Sequence, residues 1–381
     1  MRNAFTAICN REQNYTTNLE VKRGFMAITT RTKRKIIVAV SVTISVLLFL
    51  LVIAPFTINA IVYDSIFGER YETPEYLRLH IDDFDGLKAN RYEFKSNQGL
   101  NLVGYRYYVE GVTAKGVVVI AHGLGGGGHN SYLDVAYYFA CRGYYVFAYD
   151  ATGNDESEGT GVNGLPQGVA DLSSAIDYLQ NIKELKNLPV MLWGHSWGGY
   201  SVGAVLNFHP EVKAVASIAG FNQSSDMIRS QGAEYLGGAV SIMMPYVNSI
   251  ERIKFGQYAT ASAIDGFANS KCGVFVAHSS DDVTVPIEFG YDRYYDKFAG
   301  NERFEFVRYE NKGHSNIIYS QSYLEYVSEF NEGFSAYFGG QAPSLEERIA
   351  YFSEHLDREK YSDRLDLDLF DKILNFYNSC L

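Results

Sequence analysis

The chain has 381 residues, of which 47% are apolar, 15% aromatic and 20% charged. That is too apolar for a disordered chain and too charged for one embedded mostly in a membrane, and it is long enough for one large domain or two small ones. A net charge of −11 argues against nucleic acid as a partner.

The charge is unevenly spread. Residues 1–35 carry eight basic and two acidic side chains, and the remainder carries a net −17. Between the two regimes, residues 36–56 read IIVAVSVTISVLLFLLVIAPF, with only Ser and Thr as polar interruptions. About 20 such residues cross roughly 30 Å of hydrocarbon. Arg31, Lys33, Arg34 and Lys35 flank the run on one side; Asp64, Glu69, Glu72 and Glu75 flank it on the other. The sequence therefore predicts a basic cytoplasmic tail (1–35), a transmembrane helix (36–58) and a connector (59–90). The rest lies outside a cell membrane crossed once. A cleaved signal peptide has a shorter apolar core and a small-residue cleavage site, which Ile58-Asn59-Ala60 matches poorly. A buried core helix shows a polar face, and none exists here. Met26 opens MAITTRTKRK, a compact basic lead-in by itself and an alternative start.

The connector is polar and acidic, with helical character around Tyr76. Residues 91–96 and 100–109 alternate around Asn97-Gln98-Gly99 and predict a hairpin. Residues 116–121, 144–149, 190–193, 214–219 and 273–277 are short, continuously apolar runs suited to strands buried on both faces of a parallel sheet. Helical stretches at 132–141, 167–179 and 197–208 alternate with them, which predicts a doubly wound α/β sheet. Residues 221–265 interrupt the alternation after a strand's C-terminal end, where ligands bind in open α/β sheets, and read as a lid or cap. Residues 341–381 alternate apolar and charged residues and read as surface helices. Cys9, Cys141, Cys272 and Cys380 form no CxxC or metal-ligand spacing. Cys141 and Cys272 adjoin apolar strands and read as buried thiols.

Chemistry concentrates at strand ends. The run 190–193 leads into Gly194-His195-Ser196-Trp197-Gly198-Gly199 and then a helix, the strand–turn–helix context that a G-x-S-x-G nucleophile requires. A serine hydroxyl is a poor nucleophile at neutral pH and needs a base and an orienting acid. In chain order the acid comes next, from His278-Ser279-Ser280-Asp281-Asp282, and then the base, His314 in Asn311-Lys312-Gly313-His314-Ser315. Strand 116–121 runs into His122-Gly123-Leu124-Gly125-Gly126-Gly127-Gly128, where the backbone N–H groups of Leu124 and Trp197 would form an oxyanion hole. One such donor contributes on the order of 3 kcal/mol. His122, His129 and His195 read as structural. The histidines lack metal-site spacing, and neither metal nor cofactor is called for.

These residues resemble an α/β-hydrolase of the serine aminopeptidase and monoacylglycerol-lipase-like branch, from about residue 91 to 338. The matching motifs are His122–Gly125, the D-x-x-G-x-x-x-S-x-G segment from Asp150 through Gly153, Ser157 and Gly159, the elbow 194–199, and Gly313-His314. The branch's acid motif, H-G-x-x-D-x-x-V-P, falls in register with His278, Asp282, Val285 and Pro286, which selects Asp282 over Asp281. Ser279 replaces that motif's glycine, and Asp155 replaces a glycine often found two positions before Ser157. The resemblance implies the α/β-hydrolase fold over 91–340 with a helical cap at about 221–265. It covers neither the first 60 residues nor the tail 341–381.

A dinucleotide site is the rival: Gly123-x-Gly125-x-x-Gly128 follows a strand, and Asp150 ends the next. It leaves Ser196, Asp282 and His314 without a role. No Gly-Lys-Ser/Thr follows the glycines, which excludes a P-loop. The sequence therefore predicts a membrane-anchored serine hydrolase of small-molecule or lipid-like esters, with Ser196, His314 and Asp282 as catalytic residues. Two alternatives remain: a peptidase that holds a substrate amine on Asp226, Glu234 or Glu251, and a catalytically silent scaffold.

Overall fold

The computed structural model describes residues 2–381 and divides the chain into two compact units, Met1–Asn59 and Ala60–Leu381. The first holds helix α1 (Arg2–Leu48), a π-helical turn (Phe49–Ile53) and the start of α2 (Ala54–Phe67). The stretch Thr29–Phe67 is one helix long and apolar enough to cross a membrane, by length and composition. The helix runs nine residues past the predicted end at residue 58, and the connector after it forms two short 3-10 turns, Glu75–Leu77 and Ile81–Asp83.

The second unit is built on one eight-stranded sheet, in the order β1-β2-β4-β3-β5-β6-β7-β8. The strands are β1 (Leu87–Lys95), β2 (Asn101–Val109), β3 (Val117–Ala121), β4 (Tyr145–Tyr149), β5 (Val190–His195), β6 (Ala214–Ile218), β7 (Gly273–Ser279) and β8 (Phe304–Tyr309). β1 and β2 form the predicted antiparallel hairpin, closing on the pair Lys95↔Asn101. Ser96 Oγ accepts from the amides of Gln98 and Leu100, and Gly99 takes φ +82°, a conformation that favours glycine. From β4 to β8 all pairings are parallel. β3, β6 and β7 are buried along their whole length, as their continuous apolar runs require. β8 was not among the predicted runs. It is an edge strand, half-buried, with Glu305 and Arg308 breaking its apolar pattern.

The intervening helices are α3 (Leu133–Cys141), α4 (Pro166–Leu179) and α5 (Trp197–Ala204). The insertion after β6 is helical, comprising α6 (Ser224–Leu236), α7 (Val240–Phe255) and α8 (Ala263–Asn269). α9 (Tyr291–Phe298) precedes β8, and α10 (Gln321–Tyr337), α11 (Leu345–His355), α12 (Arg358–Ser362) and α13 (Leu367–Ser379) follow it.

Of the tail helices, α11 lies at the surface with only Tyr351 buried, but α13 does not. Leu369, Phe370, Ile373 and Tyr377 of α13 are fully buried and share a core with α3 and with alternate residues of the sheet, among them Ile120, Trp193, Ala216 and Phe275. The Tyr377 hydroxyl donates to the Leu192 carbonyl at 2.6 Å. Apolar residues at 369, 370, 373, 376 and 377 make one helical stripe; Asp368 and Asp371 are exposed, and Asp371 accepts from the Tyr138 hydroxyl of α3 at the edge of the stripe. Cys272 is buried as expected, but Cys141 is exposed at the last turn of α3. Cys9 lies outside the described side chains.

Inside the second unit, Glu251 of α7 is buried, and its Oε1 accepts from Tyr63 at 3.0 Å and from Ser224 at 2.6 Å. Burial pushes its carboxyl up to about 7, against the two hydrogen bonds, which lower it. An unfolded carboxyl releases its proton near 4.5. Between these values the folded state binds more protons, so stability falls as pH rises, and the loss is complete above about pH 7. The shift is equivalent to about 3 kcal/mol. Glu251→Gln keeps the acceptor and removes the titration. Urea unfolding followed by the fluorescence of the buried Trp193 and Trp197 is expected to show a steeper decline between pH 5 and 8 in the wild type than in the variant, whose remaining decline comes from Asp171, which burial pushes up to about 6.

Candidate active site

The C-terminal ends of the parallel strands carry the site, as open α/β sheets require. Ser196 follows β5 at φ 58° and ψ −118°, a strained conformation for a non-glycine residue. The turn closes because its neighbours are small. A Cβ on Gly194 would lie 2.2 Å from the Gly198 carbonyl oxygen, and one on Gly198 would lie 1.9 Å from that of Ala121. The Ser196 amide donates to the Ile218 carbonyl at 2.8 Å, tying the turn to β6.

His314 Nε2 lies 2.8 Å from Ser196 Oγ, and its Nδ1 lies 2.7 Å from Asp282 Oδ2. A carboxylate only accepts, so Nδ1 carries the proton and Nε2 is left to accept from the serine hydroxyl. Asp282 Oδ1 accepts from the amides of Thr284 and Val285 at 2.9 and 2.8 Å. The ring of His278 approaches Oδ2 at 3.2 Å. Burial acts to raise the Asp282 carboxyl, but hydrogen bonds from His278, His314 and the Val285 amide outweigh it and hold the group well below the usual carboxylate range. Asp281 takes no part in this chain; it accepts from Ser279 Oγ and from the Gly313 amide.

The loop after β3 places Leu124 on the wall of the cavity that Ser196 and His314 share. Trp197 is the first residue of α5, where the amide has no carbonyl one turn back within the helix. The Trp197 side chain points away and donates to the Leu165 carbonyl at 2.7 Å.

The other histidines are fixed by hydrogen bonds. His122 bridges the Gly123 carbonyl (2.7 Å) and the Ala151 amide (3.0 Å). His129 Nδ1 meets Asp150 Oδ1 at 2.7 Å, and the His129 and Glu156 amides also donate to Asp150. A Cβ on Gly128 would lie 1.8 Å from Asp150 Oδ1, so neither group has room for a ribose, and the dinucleotide rival fails. Burial pushes His195 down to about 3, so its ring stays neutral. Its Nε2 donates to the His314 carbonyl at 3.1 Å, and its Nδ1 accepts from the Tyr132 hydroxyl at 3.0 Å. The same hydroxyl accepts from the Gly123 amide at 3.3 Å. Tyr132 thus links the loop after β3 to the elbow, and nothing in its own sequence context signals that role.

The cavity beside Ser196 measures about 260 Å³. Its outer wall comes from Thr73, Pro74, Leu77 and Leu79 of the connector and from Tyr319, Tyr361 and Arg364 near the C-terminus. Arg364 is buried; it donates to Asp134 Oδ2 and to the Ser131 carbonyl, both at 3.0 Å. Among the described residues, none from 221–265 lines this cavity. Asp226 pairs with Arg293 at 2.5 Å, Glu251 is buried against Tyr63 and Ser224, and Glu234 is exposed.

Residues 112–256 match the family described as serine aminopeptidase, S33; the matched segment contains Ser196 and ends before Asp282 and His314. No curated protein sequence matches the chain. Among solved structures, an esterase from Pyrococcus furiosus is similar at 16% identity and a TM-score of 0.49, covering 71% of this chain and 98% of its own. An acylaminoacyl peptidase from Pyrococcus horikoshii is similar at 19% identity and a TM-score of 0.48, over 62% of this chain and 39% of the peptidase. Acetyl xylan esterase 1 from Thermoanaerobacterium is similar at 14% identity and a TM-score of 0.46, over 69% of this chain and 95% of the esterase. The chain thus has the α/β-hydrolase fold, and within it residues 112–256 match the serine aminopeptidase S33 family.

Proposed function

We propose that the chain is a serine hydrolase of carboxylic esters, with Ser196 as nucleophile, His314 as general base and Asp282 as the acid that orients the imidazole. The observation that carries this reading is the continuous hydrogen-bond chain from Ser196 Oγ through His314 to Asp282. His314 takes the serine proton as Ser196 attacks the ester carbonyl. The amides of Leu124 and Trp197 hold the developing oxyanion, and Asp282 holds the imidazolium. His314 returns the proton to the leaving alcohol, and water repeats the sequence on the acyl-enzyme.

One observation favours esters over an N-terminal peptide, and a second sizes the acyl group. An aminopeptidase needs a carboxylate to hold the substrate amine, and Asp226, Glu234 and Glu251 all lie outside the cavity wall. The volume of about 260 Å³ falls below the roughly 300–1,000 Å³ typical of larger ligands, so we narrow the lipid-like ester of the sequence reading to a short acyl chain. We further propose that the helix within Thr29–Phe67 anchors the enzyme in the cell membrane, with the basic residues 31–35 in the cytoplasm and the hydrolase unit outside.

The test is a p-nitrophenyl ester series from acetyl to palmitoyl, with an aminoacyl-anilide series in parallel, on the full chain in detergent. The expected result is the highest kcat/KM at the short acyl end. A palmitoyl optimum restores the lipid-like substrate. Cleavage of anilides alone makes the enzyme a peptidase. No turnover of either series by folded protein leaves the scaffold reading.

A further inference from the structure

Two adjacent aspartates follow β7, and they serve different partners. Asp282 bonds the His314 ring, whereas Asp281 turns to the backbone just before it. Asp281 Oδ1 accepts from the Gly313 amide at 2.9 Å and from Ser279 Oγ at 2.5 Å. Ser279 Oγ in turn accepts from the Lys312 amide at 3.0 Å. Two successive amides ahead of His314 are therefore held by side chains at the end of β7. Ser279 is fully buried and stands where the resembling motif has a glycine, which offers no hydroxyl. Gly313 itself sits at φ +57° with open space around it, so its own packing does not fix the bend that aims the next residue.

We propose that Ser279 and Asp281 form a clamp that positions His314 for proton transfer, acting on the backbone of Lys312 and Gly313 and not on the imidazole or the substrate. This rests on the reading of Ser196, His314 and Asp282 as the catalytic residues. A base displaced by a fraction of an ångström still binds its substrate but transfers the proton poorly, and a misplacement of 1 Å costs on the order of 10²-fold in rate. The clamp therefore governs kcat and leaves KM alone. Both bonds to Asp281 fall on one acceptor oxygen, which an asparagine also supplies, so the clamp depends on the acceptor and not on the negative charge.

The experiment measures kcat and KM for a short-acyl p-nitrophenyl ester with the full chain in detergent, comparing wild type, Ser196→Ala, Ser279→Ala, Asp281→Ala and Asp281→Asn. Ser279→Ala and Asp281→Ala are expected to lower kcat by about tenfold with KM within about twofold, and Asp281→Asn to restore most of the loss. Asp281 is exposed, so its variants are expected to fold even where Ser279→Ala does not. Wild-type kcat in Asp281→Ala, or in folded Ser279→Ala, overturns the clamp. Asp281→Asn as slow as Asp281→Ala overturns it too, since the charge then matters and not the bonds. A wild type that neither turns over the ester nor reacts with a serine-directed phosphonate removes the underlying catalytic reading instead, and the clamp falls with it.

Discussion

Replacing Ser196 with alanine is expected to lower kcat for ester hydrolysis by on the order of 10⁵- to 10⁶-fold, with folding and substrate affinity retained. The magnitude follows from what is removed. On the proposed mechanism the hydroxyl that donates to His314, which in turn donates to Asp282, is the atom that forms the acyl-enzyme, and without it both residues act on nothing. The residual rate comes from substrate binding and the oxyanion donors, on the order of 10³- to 10⁴-fold over water. Alanine fits the backbone no better than serine at φ 58°, so the strain of the turn stays and stability changes little. Steady-state kinetics together with an unchanged unfolding midpoint check the prediction. A variant with substantial ester turnover would place the nucleophile elsewhere.

Asp282→Asn is expected to cost about 10⁴-fold in kcat while KM changes little. The aspartate has four partners. Oδ1 accepts from the Thr284 and Val285 amides, and Oδ2 accepts from His314 Nδ1 and faces the His278 ring. An asparagine has a single acceptor oxygen, and the two backbone amides claim it. Its NH₂ group then faces His314 Nδ1, which must lose its proton to accept. The proton moves to Nε2 and points at Ser196, and the base can no longer take the serine proton. Asp281→Asn, one residue away, produces no such loss. The contrast between the two neighbours separates a tautomer effect from a general change of charge, and kcat for both variants at one pH measures it.

Much of this site was legible in the sequence because its chemistry is local. The elbow 194–199 carries its own steric signature, and Asp282 and His314 sit in short loops after strands whose order along the chain is constrained. The hairpin around Gly99 and the β-branched runs of the sheet were legible for the same reason. What escaped the sequence depends on distant contacts. α13 reads as a surface helix because Asp366, Asp368 and Asp371 are interleaved with its apolar residues, and only the helical period separates the buried stripe from the acidic face. The cavity wall at Thr73, Leu79, Tyr361 and Arg364 joins segments nearly 300 residues apart, and no local pattern announces it. The place of the insertion 221–265 after a strand predicts a lid. Its helices are there, but the wall beside Ser196 is supplied by the connector and the tail. The pair Asp281-Asp282 shows the same limit: motif register chose the residue that meets His314, but only the fold shows what the other one holds.

The central claim is that Ser196 is a nucleophile activated by His314. Its most direct test is peptide mass mapping of the full chain in detergent after exposure to a serine-directed fluorophosphonate. The expected result is one stoichiometric adduct, located on Ser196, absent from Ser196→Ala and formed far more slowly in His314→Ala. Folded protein that stays unlabelled, or carries its adduct on another serine, contradicts it.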